Sequence, residues 1–197
     1  NNKTLKTLRS KLRISGERLD LVYFQPANNK TPEHETWYAQ NRLSVIRQLA
    51  YSTKNNNELD LCFFINGIPV ATAELKNALT GQNHHNAIKQ YMQDRDPNGE
   101  PLLEFQRCLV HFAIGTEKVF MTTKLDGKST FFLPFNQGLR NYNPNGFATA
   151  YVWEDILRKD SVLDLAQNFI NLQEDVEKVY DPKKKAIVEK KSTKLLF

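Results

Sequence analysis

The chain has little cysteine and no phosphate-binding loop. Its 197 residues include two cysteines, Cys62 and Cys108, which lie in apolar stretches without Cys-x-x-Cys spacing. This pattern excludes a zinc site built on cysteines and predicts two buried free thiols in a reducing compartment. The Gly-x-x-x-x-Gly-Lys-Ser/Thr pattern does not occur, so the chain by itself is not expected to use ATP.

Membrane and export signals are also missing. No apolar run approaches the roughly 20 residues that a membrane-spanning helix needs. The first residues, NNKTLKTLRSKLR, lack the apolar centre of a signal peptide. We therefore expect a cytoplasmic protein with no membrane partner.

The composition is that of a soluble globular domain. Hydrophobic residues make up 40% and charged residues 25% of the chain, enough for a substantial core. The formal net charge of +5 is compatible with a nucleic-acid partner but does not require one. We predict one domain over residues 1–180 and a basic tail or linker over residues 181–197.

Periodicity and turn residues predict the order of helices and strands. The start, residues 1–13, is expected to be frayed or a short helix, and residues 136–149 form a loop. Predicted helices cover residues 35–50, 84–95, 151–159 and 161–178. Predicted strands cover residues 18–26, 59–65, 68–75, 107–115, 118–125 and 129–135. Asn83 is a plausible cap of the second helix.

The most informative stretch is LDLCFFINGIPVATAELKN, residues 59–77. Two apolar runs flank Asn66-Gly67, which is a strong signal for a β-hairpin. Their nearly continuous apolar character predicts central strands that are covered on both faces. Asp60, Glu74 and Lys76 interrupt this character, and charges in such a place are costly unless they are paired or bound to a metal.

These three residues suit the hydrolysis of a phosphodiester. A divalent cation neutralises the phosphate and lowers the pKa of a bound water, and Mg²⁺ prefers oxygen ligands. We predict that Asp60, Glu74 and the backbone carbonyl of Leu75 bind the metal. Lys76 would orient or deprotonate the attacking water.

This prediction places a demand on the hairpin. A plain two-residue Asn66-Gly67 turn puts Asp60 and Glu74 on opposite faces of the sheet, whereas an odd-length loop or a β-bulge puts them on one face. The alternative is a solvated hairpin end with a Glu/Lys pair at its edge. Glu-x-Lys alone is weak, because the same spacing recurs without expected function at Glu189 and Lys191.

Further candidates lie on the following helix and in basic positions. Gln90 and Tyr91 are predicted to act beside the hairpin, by positioning the water or Lys76; alternatively Tyr91 and Ile88 are core and Gln90 is surface. Phosphate contacts are predicted for Arg42, Arg47, Lys54, Lys89 and Arg95, each of which has a solvated or locally paired charge as its alternative. Arg42 is also placed on the inner arc of the 35–50 helix.

The hairpin resembles the PD-(D/E)-x-K nuclease superfamily. From about Asn41 to Ile170 the chain resembles the amino-terminal nuclease region of the restriction (R) subunit of type I restriction–modification enzymes. The segments that carry the resemblance include NRLSVIRQLAYSTKNNNELDLCFFINGIPVATAELKNALTG, AIKQYMQDRDP, RCLVHFAIGTEKVFMTTKLDGKSTFFLPFN and GFATAYVWEDILRKDSVLDLAQNFI.

The resemblance implies an α/β fold with a central mixed β-sheet flanked by helices. It implies cleavage of double-stranded DNA with Mg²⁺ or Mn²⁺, and it maps Asp60, Glu74 and Lys76 onto catalytic positions. Only half of the family's Gln-x-x-x-Tyr motif is present. If Gln90 is its Gln, Asp94 occupies the Tyr position; if Tyr91 is its Tyr, Ala87 occupies the Gln position. ATP would be used only by a helicase-like motor that continues the subunit.

The implied partners are DNA and the modification and specificity subunits of the complex. Two rival functions stay open at this point. One is a non-catalytic DNA-binding or subunit-docking module on the same fold. The other is a repair or recombination nuclease of the same superfamily, against which the resemblance over residues 151–170 argues.

Overall fold

A computed structural model describes residues 3–28, 30–138, 141–182 and 185–197. Small parts of the predicted start, loops and tail, at residues 1–2, 29, 139–140 and 183–184, lie outside the described residues. No helix within the described ranges is long and apolar enough to cross a membrane.

Six strands form a central sheet with the order β3-β4-β5-β6-β7-β8. Their bounds are Leu43–Ala50, Glu58–Ile65, Ile68–Leu75, Val110–Ile114, Val119–Thr122 and Leu133–Pro134. The β5–β6 pair is parallel and the other pairs are antiparallel. The predicted α/β fold with a mixed central sheet is therefore confirmed.

The helices are α1, α2, α3 and α4, at Thr4–Arg9, Pro32–Gln40, His84–Asp94 and Lys159–Asp164. Helix α3 packs against β5, β6 and β7 on one face of the sheet. The π-helical segment Val152–Ile156 lies on the opposite face. Its Val152 is fully buried in the same apolar cluster as Phe112 of β6. Strand β6 is thus buried along its whole length.

The hairpin of β4 and β5 contains a break in its strand register, as the predicted site demands. Asn66 and Gly67 both have positive φ angles, 49° and 82°, as a two-residue hairpin turn demands. Beside the turn Phe64 pairs with Pro69, but the next pair is Phe63 with Ala71. Val70 is therefore an extra residue in β5, and it forms the predicted β-bulge.

The predicted helix over residues 35–50 is wrong in its second half. Helix α2 ends at Gln40, and β3 pairs along β4 from Leu43 to Ala50. The backbone groups on the outer side of β4 need hydrogen-bond partners, and a strand with Val and Ile at neighbouring positions supplies them despite its helical spacing. Arg42 consequently lies between α2 and β3 with its side chain exposed, not on an inner helix face.

Four predicted strands are shorter than expected: those over residues 107–115 and 118–125 shrink to β6 and β7, and two others nearly disappear. The strand predicted over residues 18–26 is reduced to β2, Glu17–Leu19, which pairs only with β1, Leu12–Ile14. The strand predicted over residues 129–135 is reduced to β8, which pairs with β7 through two residues. Val22 of the first segment is buried in the core and Phe132 of the second packs beside Tyr91, so these apolar side chains are accommodated without a full ladder.

The predicted helix over residues 161–178 is confirmed as far as Phe169 and wrong beyond it. Helix α4 continues as a π-helical segment, Leu165–Phe169, and the chain then forms β9, Asn171–Asp181, paired with β10, Ala186–Leu196. Ile170 already has extended backbone angles, and its side chain is buried in the core. Cross-strand pairing over both strands satisfies the backbone that the helix would have satisfied.

Candidate active site

The bulge at Val70 brings Asp60 and Glu74 to the same face of the sheet. Leu61 pairs with Ala73, and the same register continued by one residue sets Asp60 opposite Glu74. The backbone N–H of Leu75 donates a hydrogen bond of 2.7 Å to Asp60 Oδ2, which fixes the Asp60 carboxylate beside the end of β5. Without the extra residue, Asp60 would face the other side of the sheet.

Glu74 is a fully buried carboxylate with one ion-pair partner. Its Oε1 accepts a hydrogen bond of 2.7 Å from Nε of Arg95, a side chain that is itself 5% exposed. Burial raises the pKa of Glu74 to about 7, the charge of Arg95 opposes this rise, and the charge of Asp60 adds to it. Removing one partner of such a buried pair costs about 3–5 kcal/mol, because the other charge stays unpaired.

The second oxygen of Glu74 makes the site suitable for a cation. Glu74 Oε2 is buried and has no hydrogen-bond partner among the described residues. Asp60 is half-buried and its charge is felt at Glu74. Among the described residues no three His, Cys, Asp or Glu side chains form a metal cluster. The two carboxylates offer oxygen atoms, the ligand type that Mg²⁺ prefers.

Lys76 follows Glu74 by two residues at the end of the β5–β6 ladder. Its backbone N–H donates to the carbonyl of Ile114 at 2.9 Å, so the ladder continues one step beyond the strand. The side chain is half-buried and borders a surface cavity of about 190 Å³ that Leu75 and Trp153 also line. The Lys76 side chain therefore has access to solvent, and this cavity is lined by neither Asp60 nor Glu74.

Helix α3 covers the face that carries Glu74. Its amino terminus is fixed by Asn83, whose side chain accepts from the His85 N–H while Asn86 bonds back to the Asn83 N–H. The predicted cap is therefore confirmed. The helix buries Ala87 and Tyr91 against the sheet.

Tyr91 and Gln90 occupy different environments. Tyr91 is fully buried, and its hydroxyl lies 2.8 Å from Thr72 Oγ1, which is also 2.7 Å from Nδ1 of His111. Burial raises the pKa of Tyr91 well above its usual range, so the phenol stays protonated. Tyr91 is thus a core residue, which was the alternative to a role beside the attacking water. Gln90 is half-buried, and its Oε1 is without a hydrogen-bond partner among the described residues.

The predicted phosphate-binding residues fall into two groups. Arg42, Arg47, Lys54 and Lys89 are exposed, although Lys54 Nζ donates to the carbonyl of Asn98 at 2.8 Å. Arg95 is buried against Glu74, and this position does not fit a phosphate contact. The carboxylate inside the sheet attracts the guanidinium inward, since an unpaired buried charge is unfavourable.

A comparison with protein families gives one match over more than half of the chain. The signature of the family described as type I restriction enzyme R protein N terminus matches residues 6–130. The chain belongs to this family. No curated protein matches the chain at a significant level.

In this type I restriction enzyme R protein N terminus, the matched range contains β3 to β7 and α3. It therefore includes Asp60, Glu74, Lys76 and Gln90. It also includes Arg95, whose pairing with Glu74 the sequence interpretation missed. The sequence did contain a signal for this pair. A buried Glu74 needs a positively charged partner, and Arg95 follows directly on the helix that packs over it.

Proposed function

We propose that this domain of an R subunit is an endonuclease that hydrolyses phosphodiester bonds of double-stranded DNA with Mg²⁺. The observation that carries the proposal is that the bulge sets Asp60 and Glu74 on one face, with one Glu74 oxygen lacking a hydrogen-bond partner among the described residues. A family fold alone does not carry a function, but this arrangement of groups suits a specific chemistry.

Asp60, Glu74 and the Leu75 carbonyl would hold the ion. When bound, Mg²⁺ supplies charge neutralisation at the phosphate and a water of lowered pKa. The protein's own part is geometric: the Leu75 N–H holds Asp60, and Arg95 holds Glu74. Lys76 would orient the attacking water or accept its proton, and Gln90 would hydrogen-bond to the same water. The exposed Arg42, Arg47 and Lys89 would contact phosphates.

The proposal extends to the assembly. In a complete R subunit, a helicase-like motor would supply ATP-driven movement, and the specificity and modification subunits would choose the target. The isolated domain is then expected to cut DNA slowly and without sequence preference.

Nicking of supercoiled plasmid tests the proposal. Wild type should nick the plasmid with Mg²⁺ or Mn²⁺ and stop when EDTA is added. Asp60→Ala, Glu74→Ala and Lys76→Ala should each abolish nicking while the circular dichroism spectrum is kept.

The chain offers a matched control in its second Glu-x-Lys triplet. Glu189 and Lys191 lie exposed on β10, so the double variant Glu189→Ala/Lys191→Ala should nick like wild type. Nicking that persists in Glu74→Ala, or that is absent from wild type under all metal conditions, would favour a non-catalytic DNA-binding or docking module instead.

A further inference from the structure

Arg95 is a buried arginine at the carboxyl end of α3. It is 5% exposed, and its Nε donates to Glu74 Oε1 at 2.7 Å. An arginine that contacts DNA through phosphates needs its guanidinium at the surface. The structure therefore suits a role inside the protein, directed at Glu74.

The guanidinium is itself fixed from several sides. Its Nη2 donates to the backbone carbonyl of Glu58 at 2.7 Å, and Nη1 lies 3.4 Å from the carbonyl of Asp94. Its central carbon lies 5.9 Å from the centre of the Tyr51 ring. Since Glu58 precedes Asp60 by two residues on β4, Arg95 connects α3 to both strands that carry the predicted carboxylates.

This anchoring occupies one oxygen of Glu74, and the other has no hydrogen-bond partner in the part of the chain that the structure describes. A carboxylate free to rotate could turn either oxygen toward a cation or away from it. Arg95 removes that freedom, because Nε holds Oε1 while Nη2 is held by β4. Oε2 stays buried and without a hydrogen-bond partner among the described residues.

We propose that Arg95 is a positioning residue that fixes the Glu74 carboxylate so that Oε2 is presented as a metal ligand beside Asp60. It contacts neither substrate nor metal and acts only through Glu74. The inference rests on the proposed metal role of Glu74. Partners that orient a ligand in this way commonly change metal affinity about 10- to 100-fold when they are removed.

The geometry requires arginine and not merely a positive charge. A planar guanidinium donates through Nε and Nη2 at once in fixed directions, whereas a lysine ammonium is a compact charge on a flexible chain. A lysine at this position could hydrogen-bond to Glu74 or to the Glu58 carbonyl, but it would not fix the position of Glu74 relative to β4. Arg95→Lys should therefore restore the function of Arg95→Met only in part.

Calorimetric titration with MnCl₂ of the metal-free full chain, at pH 8, tests the inference. Wild type should bind Mn²⁺, and Glu74→Gln should not. Arg95→Met should bind at least about tenfold more weakly than wild type, and Arg95→Lys should fall between the two. Thermal melts of the same samples report whether each variant is folded.

Arg9 is a control for the loss of guanidinium hydrogen bonds to backbone carbonyls, at a more exposed position than Arg95. It also bonds backbone carbonyls through its guanidinium, to Ala166 at 2.7 Å and Ile170 at 2.6 Å, with no part in the carboxylate pair. Arg9→Met should lower the melting temperature and leave the Mn²⁺ dissociation constant unchanged. A merely structural Arg95 would behave in the same way as Arg9.

The outcomes separate this inference from the proposed function. Mn²⁺ binding by Arg95→Met that equals or exceeds wild type overturns the positioning role, while loss of binding in Glu74→Gln still supports the metal site. If Arg95→Met does not fold, Arg95→Lys decides by the same criterion. Absence of Mn²⁺ binding in wild type overturns both ideas.

Discussion

At the level of single residues, Glu74 carries a charge that its surroundings disfavour. Burial raises its pKa to about 7, while Arg95 works against the rise. The ordinary pKa of a glutamate carboxyl, taken for the unfolded chain, is 4.5. A group whose pKa is raised by folding stabilises the protein at a pH below its unfolded-state pKa. This contribution is lost as the pH rises through the folded-state pKa.

Without metal, wild type should therefore lose stability relative to Glu74→Gln between about pH 4.5 and 7. The difference in the free energy of unfolding should shift by up to about 3 kcal/mol across this window. Urea denaturation of both proteins in EDTA at pH 4.5, 6 and 8 measures it. A constant difference would contradict the raised pKa of Glu74.

Thr72 is a second residue of interest, because its hydroxyl is the hydrogen-bond partner of two buried side chains. It bonds both Tyr91 and His111 inside the sheet. Thr72→Val should cost roughly 2–4 kcal/mol, because it leaves two buried polar groups without a partner. Tyr91→Phe should cost about 1 kcal/mol, since Thr72 keeps its bond to His111. Urea denaturation at neutral pH compares them, and equal costs would show that the network is not shared.

At the level of elements, the bulge decides which side of the sheet each carboxylate occupies. Val70 is the extra residue, and every β5 side chain beyond it changes face relative to a plain hairpin. Pro69 lies immediately before it and has no N–H to donate, so an irregular ladder at this point costs less than a regular one would.

Deleting Val70 should restore a plain two-residue hairpin and separate Asp60 from Glu74. We expect loss of Mn²⁺ binding and of nicking, measured as above. Gly67→Ala is the companion variant: its φ of 82° strains any side chain, so it should destabilise the same hairpin by about 1 kcal/mol without a register change. If the deletion variant is folded and still binds Mn²⁺, the register argument is wrong.

At the level of the whole molecule, the terminal hairpin of β9 and β10 adds residues to the core. Leu195 is 3% exposed and lies in the same apolar cluster as Leu5 and Ile65. Its carbonyl accepts a hydrogen bond of 2.7 Å from Thr123. Residues beyond the predicted boundary at 180 thus pack on the sheet, while the division into a domain and a tail stays a prediction.

Leu195→Ala should cost about 2–5 kcal/mol through the lost packing. The neighbouring Leu196 is 48% exposed, so Leu196→Ala should change stability by less than about 0.5 kcal/mol. Urea denaturation of the two variants measures the contrast. Equal effects would mean that the hairpin does not pack on the core in solution.

The sequence by itself determined the hairpin, its turn and the placing of charged residues in its apolar strands. Asn66-Gly67 has a local conformational preference, and charges in an apolar strand are costly wherever the chain folds, so both could be predicted. The need for a bulge also followed, because strand alternation has a fixed period of two. The capped helix α3 was predictable for the same local reason.

Only the tertiary structure decided which partners satisfy these groups. Residues 43–50 become a strand because β4 offers unpaired backbone groups, and residues 171–181 because β10 pairs with them. Arg95 turns inward because Glu74 is buried within its reach. Hydrogen bonding and charge pairing depend on distances between residues far apart in the chain, which local patterns do not contain.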